Sequence, residues 1–171
     1  MVSTRAMPAH ETPLLERFAP RQWDVEELVR AALDVKERAW VPLSRFHVGA
    51  AVVTRSGRIF AGCNTESLIP ILSVCAERNA VNHAIIHGET GFLAVAVTSD
   101  LHAPLLPCGA CLQYLQEFAR QDGRDILIIA EGRSGDRVIT SVEELFKGGF
   151  PAETSAHEIV QDSFRWTADG E

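Results

Sequence analysis

Three cysteines and one glutamate constrain this chain more than any other feature. They fall in two stretches far apart in the chain, Cys75-Ala76-Glu77-Arg78 and Pro107-Cys108-Gly109-Ala110-Cys111. If the thiols share one metal, the fold must bring both stretches to a single point. Zinc accepts thiolates, and a catalytic zinc site keeps one of its four positions for water, so three Cys ligands suit an open site better than a closed one. Glu77 is two residues past Cys75 and need not ligate the metal. A carboxylate there can take a proton from water and pass it on.

Other readings stand beside this one. Cys108 and Cys111 form a Cys-x-x-Cys that also suits a redox pair, which would leave Cys75 and Glu77 unexplained. Cys63 could close the site as a fourth thiolate, although its place at an apolar strand end beside Gly62 suits a small buried packing residue. Without the cysteines, Glu77 reads as an exposed acid favoured by a helix N-terminus. Three thiolates also outweigh two metal charges and make a poor Lewis acid unless something offsets them. Helix N-termini and the guanidinium of Arg78 can do so, while Arg78 reads equally as a solvent-facing helix residue.

Placing the two stretches at helix starts follows from the patterning around them. Apolar residues between Trp23 and Ala39 recur at three- and four-residue steps, predicting a helix capped by Asp24. Val48–Thr54 and Arg58–Cys63 read as a hairpin turned at Ser56-Gly57, with Asn64-Thr65-Glu66 at its end. Ser67–Leu72 contains Pro70 and reads as loop. Ser73–His87 predicts a helix ended by Gly88, Leu93–Thr98 a buried strand, and Gly109–Gln121 a helix closed by Gly123. Ile126–Ala130 reads as another buried strand, Ser141–Phe146 as a short capped helix, and Gly148–Pro151 as an exit loop. Strands alternating with helices after an opening hairpin predict an α/β fold, a mixed sheet covered on both faces. We expect one domain, Arg21–Pro151, between an N-terminal arm, Met1–Pro20, and a C-terminal arm, Ala152–Glu171.

Charge narrows the partners. The 171 residues carry 16 Lys and Arg against 23 Asp and Glu, a net charge of -7 that argues against a nucleic-acid surface and favours a small free substrate. No apolar run approaches membrane-spanning length, and Met1–Arg17 lacks the basic-then-apolar order of a secretory signal, so the expected location is cytoplasmic, with no membrane partner.

Taken together, Phe46-His47-Val48-Gly49-Ala50-Ala51, Gly62-Cys63-Asn64-Thr65-Glu66, the two cysteine stretches, and Glu143-Glu144-Leu145 ahead of Gly149-Phe150 resemble the cytidine deaminase family. The likeness runs from about Val25 to Phe150 and is to the small, three-Cys, homotetrameric form. It implies a three-layer α/β/α fold with a mixed sheet of about five strands. It implies one zinc per subunit on Cys75, Cys108 and Cys111, and proton transfer by Glu77. Asn64 and Glu66 would bind the ribose hydroxyls, Phe46 and Ala76 would contact the substrate, and Phe150 would reach a neighbouring subunit's site.

The implied reaction is attack of water at C4 of a cytidine-type nucleoside, with Glu77 protonating N3 and ammonia leaving. The Asn-x-Glu pair makes independent sense, since an amide and a carboxylate offer a sugar diol both donor and acceptors; it also reads as a strand-end turn. Phe46 and Phe150 also read as core packing. The implied assembly is a homotetramer, with a homodimer as the other reading.

Departures from the family pattern gather in one place. Ser67-Leu68-Ile69-Pro70-Ile71-Leu72 lacks the family's usual small residues and Tyr, His47 stands at a common Pro, and Leu43 at a common Tyr. The expectation is a substrate loop reshaped for a modified or N4-substituted nucleoside, with cytidine itself or deoxycytidine the first candidates. A zinc-binding scaffold without catalysis is the reading from another class.

Overall fold

Two apolar stripes on every central strand determine the layering. A computed structural model describes residues 23–147 of the chain. In β1 (Val48–Thr54) every residue is buried, as it is in β3 (Phe92–Ser99). Such continuous burial requires cover on both faces. Ala50, Val52, Val95, Val97 and Ile128 belong to one core, whereas Ala51, Val53, Ala94, Ala96, Leu127 and Ile129 belong to the other. The alternation follows the two-residue period of a strand.

The elements run α1 (Val25–Lys36), β1, β2 (Ile59–Cys63), a 3-10 turn at Pro70–Leu72, α2 (Ala76–Ile85), β3, α3 (Gly109–Asp122), β4 (Leu127–Glu131), β5 (Arg137–Ser141) and α4 (Val142–Leu145). They build a five-stranded sheet in the order β2-β1-β3-β4-β5, antiparallel except for the parallel pair β3 and β4. Leu28, Val29 and Ala32 of α1 cover one face. Ala76, Ala80, Val81 and Ala84 of α2, Leu115 of α3 and Val142 of α4 cover the other. The expected three-layer α/β/α fold with a mixed, five-stranded sheet is the observed one.

Local signals account for most element ends. Asp24 caps α1 by accepting from the Glu26 amide at 3.0 Å, and Gly123 ends α3 in the left-handed conformation at φ 62°. Ser141 caps α4 by accepting from the Glu144 amide at 3.3 Å. Four differences from the sequence reading stand out. Helix α1 ends at Lys36, three residues before Ala39. Strand β5 was not expected; its Val138-Ile139-Thr140 run follows a tight turn at Gly135 and pairs back on β4. Pro70–Leu72 forms a 3-10 turn in the expected loop. Helix α2 begins at Ala76 because Val74 is extended and bridges Thr65, so Ser73 and Val74 lie outside it.

One close approach fixes where α2 starts. A Cβ on Gly62 would lie 2.3 Å from the Ala80 nitrogen and 2.9 Å from the Ala76 oxygen, so β2 packs directly on the helix backbone. The expected arms, the exit loop at 148–151 and Phe150 lie outside the described residues.

Candidate metal and nucleoside site

Both cysteine stretches arrive at the site as helix caps. Cys75 is the N-cap of α2 and Cys108 the N-cap of α3, each with extended backbone, and Cys111 sits in the first turn of α3. Neither side chain makes a capping bond to its own helix backbone, which leaves the sulfurs for other work. Cys75 Sγ lies 3.9 Å from Cys108 Sγ, and Cys108 Sγ lies 3.5 Å from Cys111 Sγ. All three sulfurs fall within 4.8 Å of one another, and among the described residues no other group of three candidate ligands does.

Tetrahedral zinc with bonds of about 2.3 Å spaces its sulfurs about 3.8 Å apart, so the cluster fits the ion. Cys63 is a free, half-buried thiol outside the cluster. The four-thiolate arrangement is therefore not formed.

The three sulfurs are electrostatically unequal. Cys75 is lowered to about 5 by a hydrogen bond from Cys111, helped by Arg78 and Cys108. Cys111, fully buried, moves the opposite way because its thiol bonds the Cys75 sulfur and sits in the core. The Arg78 guanidinium favours the Cys75 thiolate. Its Nη2 donates to the Ser73 carbonyl at 3.3 Å, and its Nε is buried without a hydrogen-bond partner among the described residues.

Glu77 is only 5% exposed, not the exposed first-turn acid of the bland reading. Burial raises its pKa above the usual carboxylate range, and the nearby Cys75 charge adds to the effect. A buried carboxyl beside a thiol cluster holds its proton more tightly than an exposed one, which suits a group that takes a proton and passes it on.

Asn64 and Glu66 are already employed. Asn64 Oδ1 accepts from the Val48 amide and its Nδ2 donates to the Phe46 carbonyl, both at 2.9 Å. Glu66 Oε2 accepts from the amides of Leu43 and Ser44 at 2.8 and 3.1 Å. Bonding to Ser44 and Leu43 holds the Glu66 carboxyl below its usual range, so it stays ionised. An Asn side chain has two donors and two acceptor lone pairs, so Asn64 retains one of each for a ligand.

These clamps hold a strained segment. Arg45 has φ 56°, a conformation that costs a non-glycine residue about 1 kcal/mol. Phe46 is half-buried and packs against the α2/α3 core. Ala76 is fully buried and belongs to that core.

One set of residues escaped the sequence reading. His47 donates its amide to Asp100 Oδ2 at 2.9 Å, and its Nδ1 lies 2.8 Å from the same oxygen. Lys36 of α1 pairs with Asp100 Oδ1 at 3.2 Å. An acid one residue beyond a strand carries no distinctive spacing. The lysine is tied to this place by its close packing on Gly49, where a Cβ would meet the Lys36 Cβ at 2.8 Å, and by its Nζ donating to the Ser99 carbonyl at 3.5 Å, contacts that exist only in three dimensions.

Comparison with known proteins agrees with this geometry. Residues 22–123 match the family model described as the cytidine and deoxycytidylate deaminase zinc-binding region. The cytidine deaminase of Sporosarcina psychrophila is 36% identical over 138 residues, 81% of this chain and 99% of that protein. The cytidine deaminase of Halalkalibacterium halodurans is 37% identical over 130 residues, 76% of this chain and 96% of that one. The crystal structure of cytidine deaminase from Burkholderia pseudomallei superposes with a TM-score of 0.69 at 36% identity, covering 74% of this chain and 99% of that chain. With its fold, its three-sulfur cluster and its sequence in agreement, the chain belongs to the cytidine and deoxycytidylate deaminase family.

Proposed function

We propose that this protein hydrolytically deaminates cytidine, deoxycytidine or a close pyrimidine nucleoside, giving the uridine-type product and ammonia. The observation that carries the reading is the buried carboxyl of Glu77 beside the sulfurs of Cys75, Cys108 and Cys111. Those cysteines would hold one zinc ion per subunit, which supplies a Lewis acid that makes water a nucleophile at neutral pH. Glu77 takes a proton from the attacking water and delivers it to N3 of the base, then takes the remaining proton from the new C4 hydroxyl and gives it to the amino group, which leaves as ammonia as the C4 carbonyl forms. Its raised pKa suits both halves of that cycle.

Asn64 and Glu66 bind the ribose hydroxyls with the valences their backbone clamps leave over, so binding of the sugar is coupled to the conformation of the segment bearing Phe46. Phe46 and the backbone of Ala76 contact the base, and Phe150 contributes from a neighbouring subunit. Arg78 keeps the thiolates from neutralising the metal fully.

The assembly is a homotetramer in the cytoplasm, with a nucleoside as its partner and neither nucleic acid nor membrane. Leu68, Ile69, Ile71 and Leu72 are 57–88% exposed, the kind of surface a second copy covers. The same exposed apolar run favours a second reading, in which the loop accommodates an N4-substituted cytidine. Turnover of cytidine, deoxycytidine and N4-alkyl cytidines, with zinc quantified in the same sample, tests both. Release of ammonia or amine from at least one nucleoside supports the reading. Bound zinc with no turnover across the panel overturns it in favour of a scaffold.

A further inference from the structure

The far end of α2 carries a second set of metal-ligating side chains, remote from the thiols. His83 lies in the last turn of the helix, and His87 lies four residues on, in a turn where the His87 amide still donates to the Ala84 carbonyl at 2.9 Å. Residues four apart on a helical path share a face. At about 1.5 Å per residue, His83 is about 12 Å along the helix from Cys75. Both rings are exposed.

Hydrogen bonding fixes the tautomer of each ring. His83 Nδ1 is 2.9 Å from the Ala61 carbonyl oxygen, and His87 Nδ1 is 2.8 Å from the His83 carbonyl oxygen. A carbonyl only accepts, so each Nδ1 carries the proton and Nε2 carries the lone pair. Metal-bound histidines characteristically donate their other nitrogen to a carbonyl or carboxylate in this way.

The packing also suits a shared ion. Two imidazoles on one cation, with metal–nitrogen bonds of about 2.1 Å and an angle between 90° and tetrahedral, have ring centroids roughly 4.6–5.3 Å apart. The His83 and His87 centroids are 5.0 Å apart. Phe60 packs 5.3 Å from each ring and restricts their rotation. Arg58, over the Phe60 ring at 4.7 Å, opposes a cation here, but it is paired with Glu89 at 3.3 Å.

We propose that His83 and His87 form a second, surface metal site for a late first-row divalent cation such as Ni²⁺, Cu²⁺ or Zn²⁺, with water completing the coordination. Two neutral nitrogen ligands bind less tightly than three thiolates, so the ion exchanges freely, and Cu²⁺ binds more tightly than Ni²⁺ or Zn²⁺. Metal uptake by the protein then exceeds what the thiols hold.

The test is calorimetric titration of untagged, zinc-loaded full-length protein with NiCl₂, with zinc release followed by a chromogenic chelator. The expected result is one Ni²⁺ per chain, no zinc release, and at least tenfold weaker binding in each of His83→Ala and His87→Ala. His83→Gln and His87→Gln, which retain a side-chain donor near the carbonyls, repeat the loss without disturbing the thermal midpoint and so exclude unfolding as its cause. Equal affinity in wild type and variants, no binding below about 1 mM, or Ni²⁺ uptake matched by zinc release would overturn the proposal.

Discussion

Cys75 and Cys108 cap different helices on the same face of the sheet, and their sulfurs lie 3.9 Å apart. That proximity depends on β2 and α2 touching backbone to backbone at Gly62, which sets the height of the α2 start. The thiol cluster is thus a product of sheet packing as much as of the cysteine spacing.

The cluster predicts unequal consequences for the four cysteines. Cys75→Ala, Cys108→Ala and Cys111→Ala each remove one sulfur of three, and each is expected to lower zinc content below half an equivalent after dialysis. Cys63→Ala, outside the cluster, is expected to retain zinc fully. Elemental analysis of the four proteins checks this. Loss of zinc in the Cys63 variant would point to a fourth ligand.

Gly62→Ala places a Cβ 2.3 Å from the Ala80 nitrogen, where no flexible side chain can yield. Overpacking of this kind costs about 1–3 kcal/mol. The expected result is a lower urea midpoint together with weaker zinc retention, because the displaced helix carries Cys75 at its cap. A variant with native stability and native zinc content would show that α2 is not positioned by this contact.

Much of the site was legible because its chemistry is local in sequence. Cys75, Glu77, Cys108 and Cys111 combine ligand type with helix-start position, and the hairpin, the central strands and the capped helices follow from periodicity and turn residues. Strand β5 was not legible: five residues with Arg137 at one end and a partly exposed Val138 give no continuous apolar run, and its identity comes from pairing with β4. The backbone clamping by Asn64 and Glu66 was equally hidden, since their partners at Leu43–Val48 are set by chain reversal and not by spacing. Val74 left the expected helix for the same kind of reason, a bridge to Thr65 that outweighs local helix preference.

The Lys36–Asp100–His47 cluster predicts an acid sensitivity. Interactions with the His47 amide, the His47 ring and Lys36 hold the Asp100 carboxyl below its ordinary value, outweighing the opposing effect of partial burial. A carboxyl whose folded pKa is depressed adds stability above its unfolded pKa of about 3.9, and that stability is lost as pH falls through the folded value. Asp100→Asn is therefore expected to lower stability by about 1–2 kcal/mol at pH 7, a figure reduced for the solvent screening of a partly exposed group. The difference from wild type should shrink below about pH 4. Urea unfolding at pH 7 and pH 3.5 checks it, and a pH-independent difference would contradict it.

The proposed ribose role of Glu66 predicts an effect on binding apart from chemistry. Glu66→Gln keeps one acceptor oxygen near the Leu43 and Ser44 amides but removes the charge that the proposed ribose contact would use. The expected effect is a KM raised about tenfold or more, with kcat changed much less, equivalent to about 1.4 kcal/mol of lost uniform binding. A fall in kcat at unchanged KM would move Glu66 out of the ribose role.

The central claim is that Glu77 moves the proton while the three thiols hold the metal without it. Glu77→Gln, purified and assayed for zinc and for nucleoside turnover in one sample, tests it most directly. The account predicts a full zinc complement with turnover reduced about 10²–10⁴-fold. Near-native turnover in that variant would contradict it.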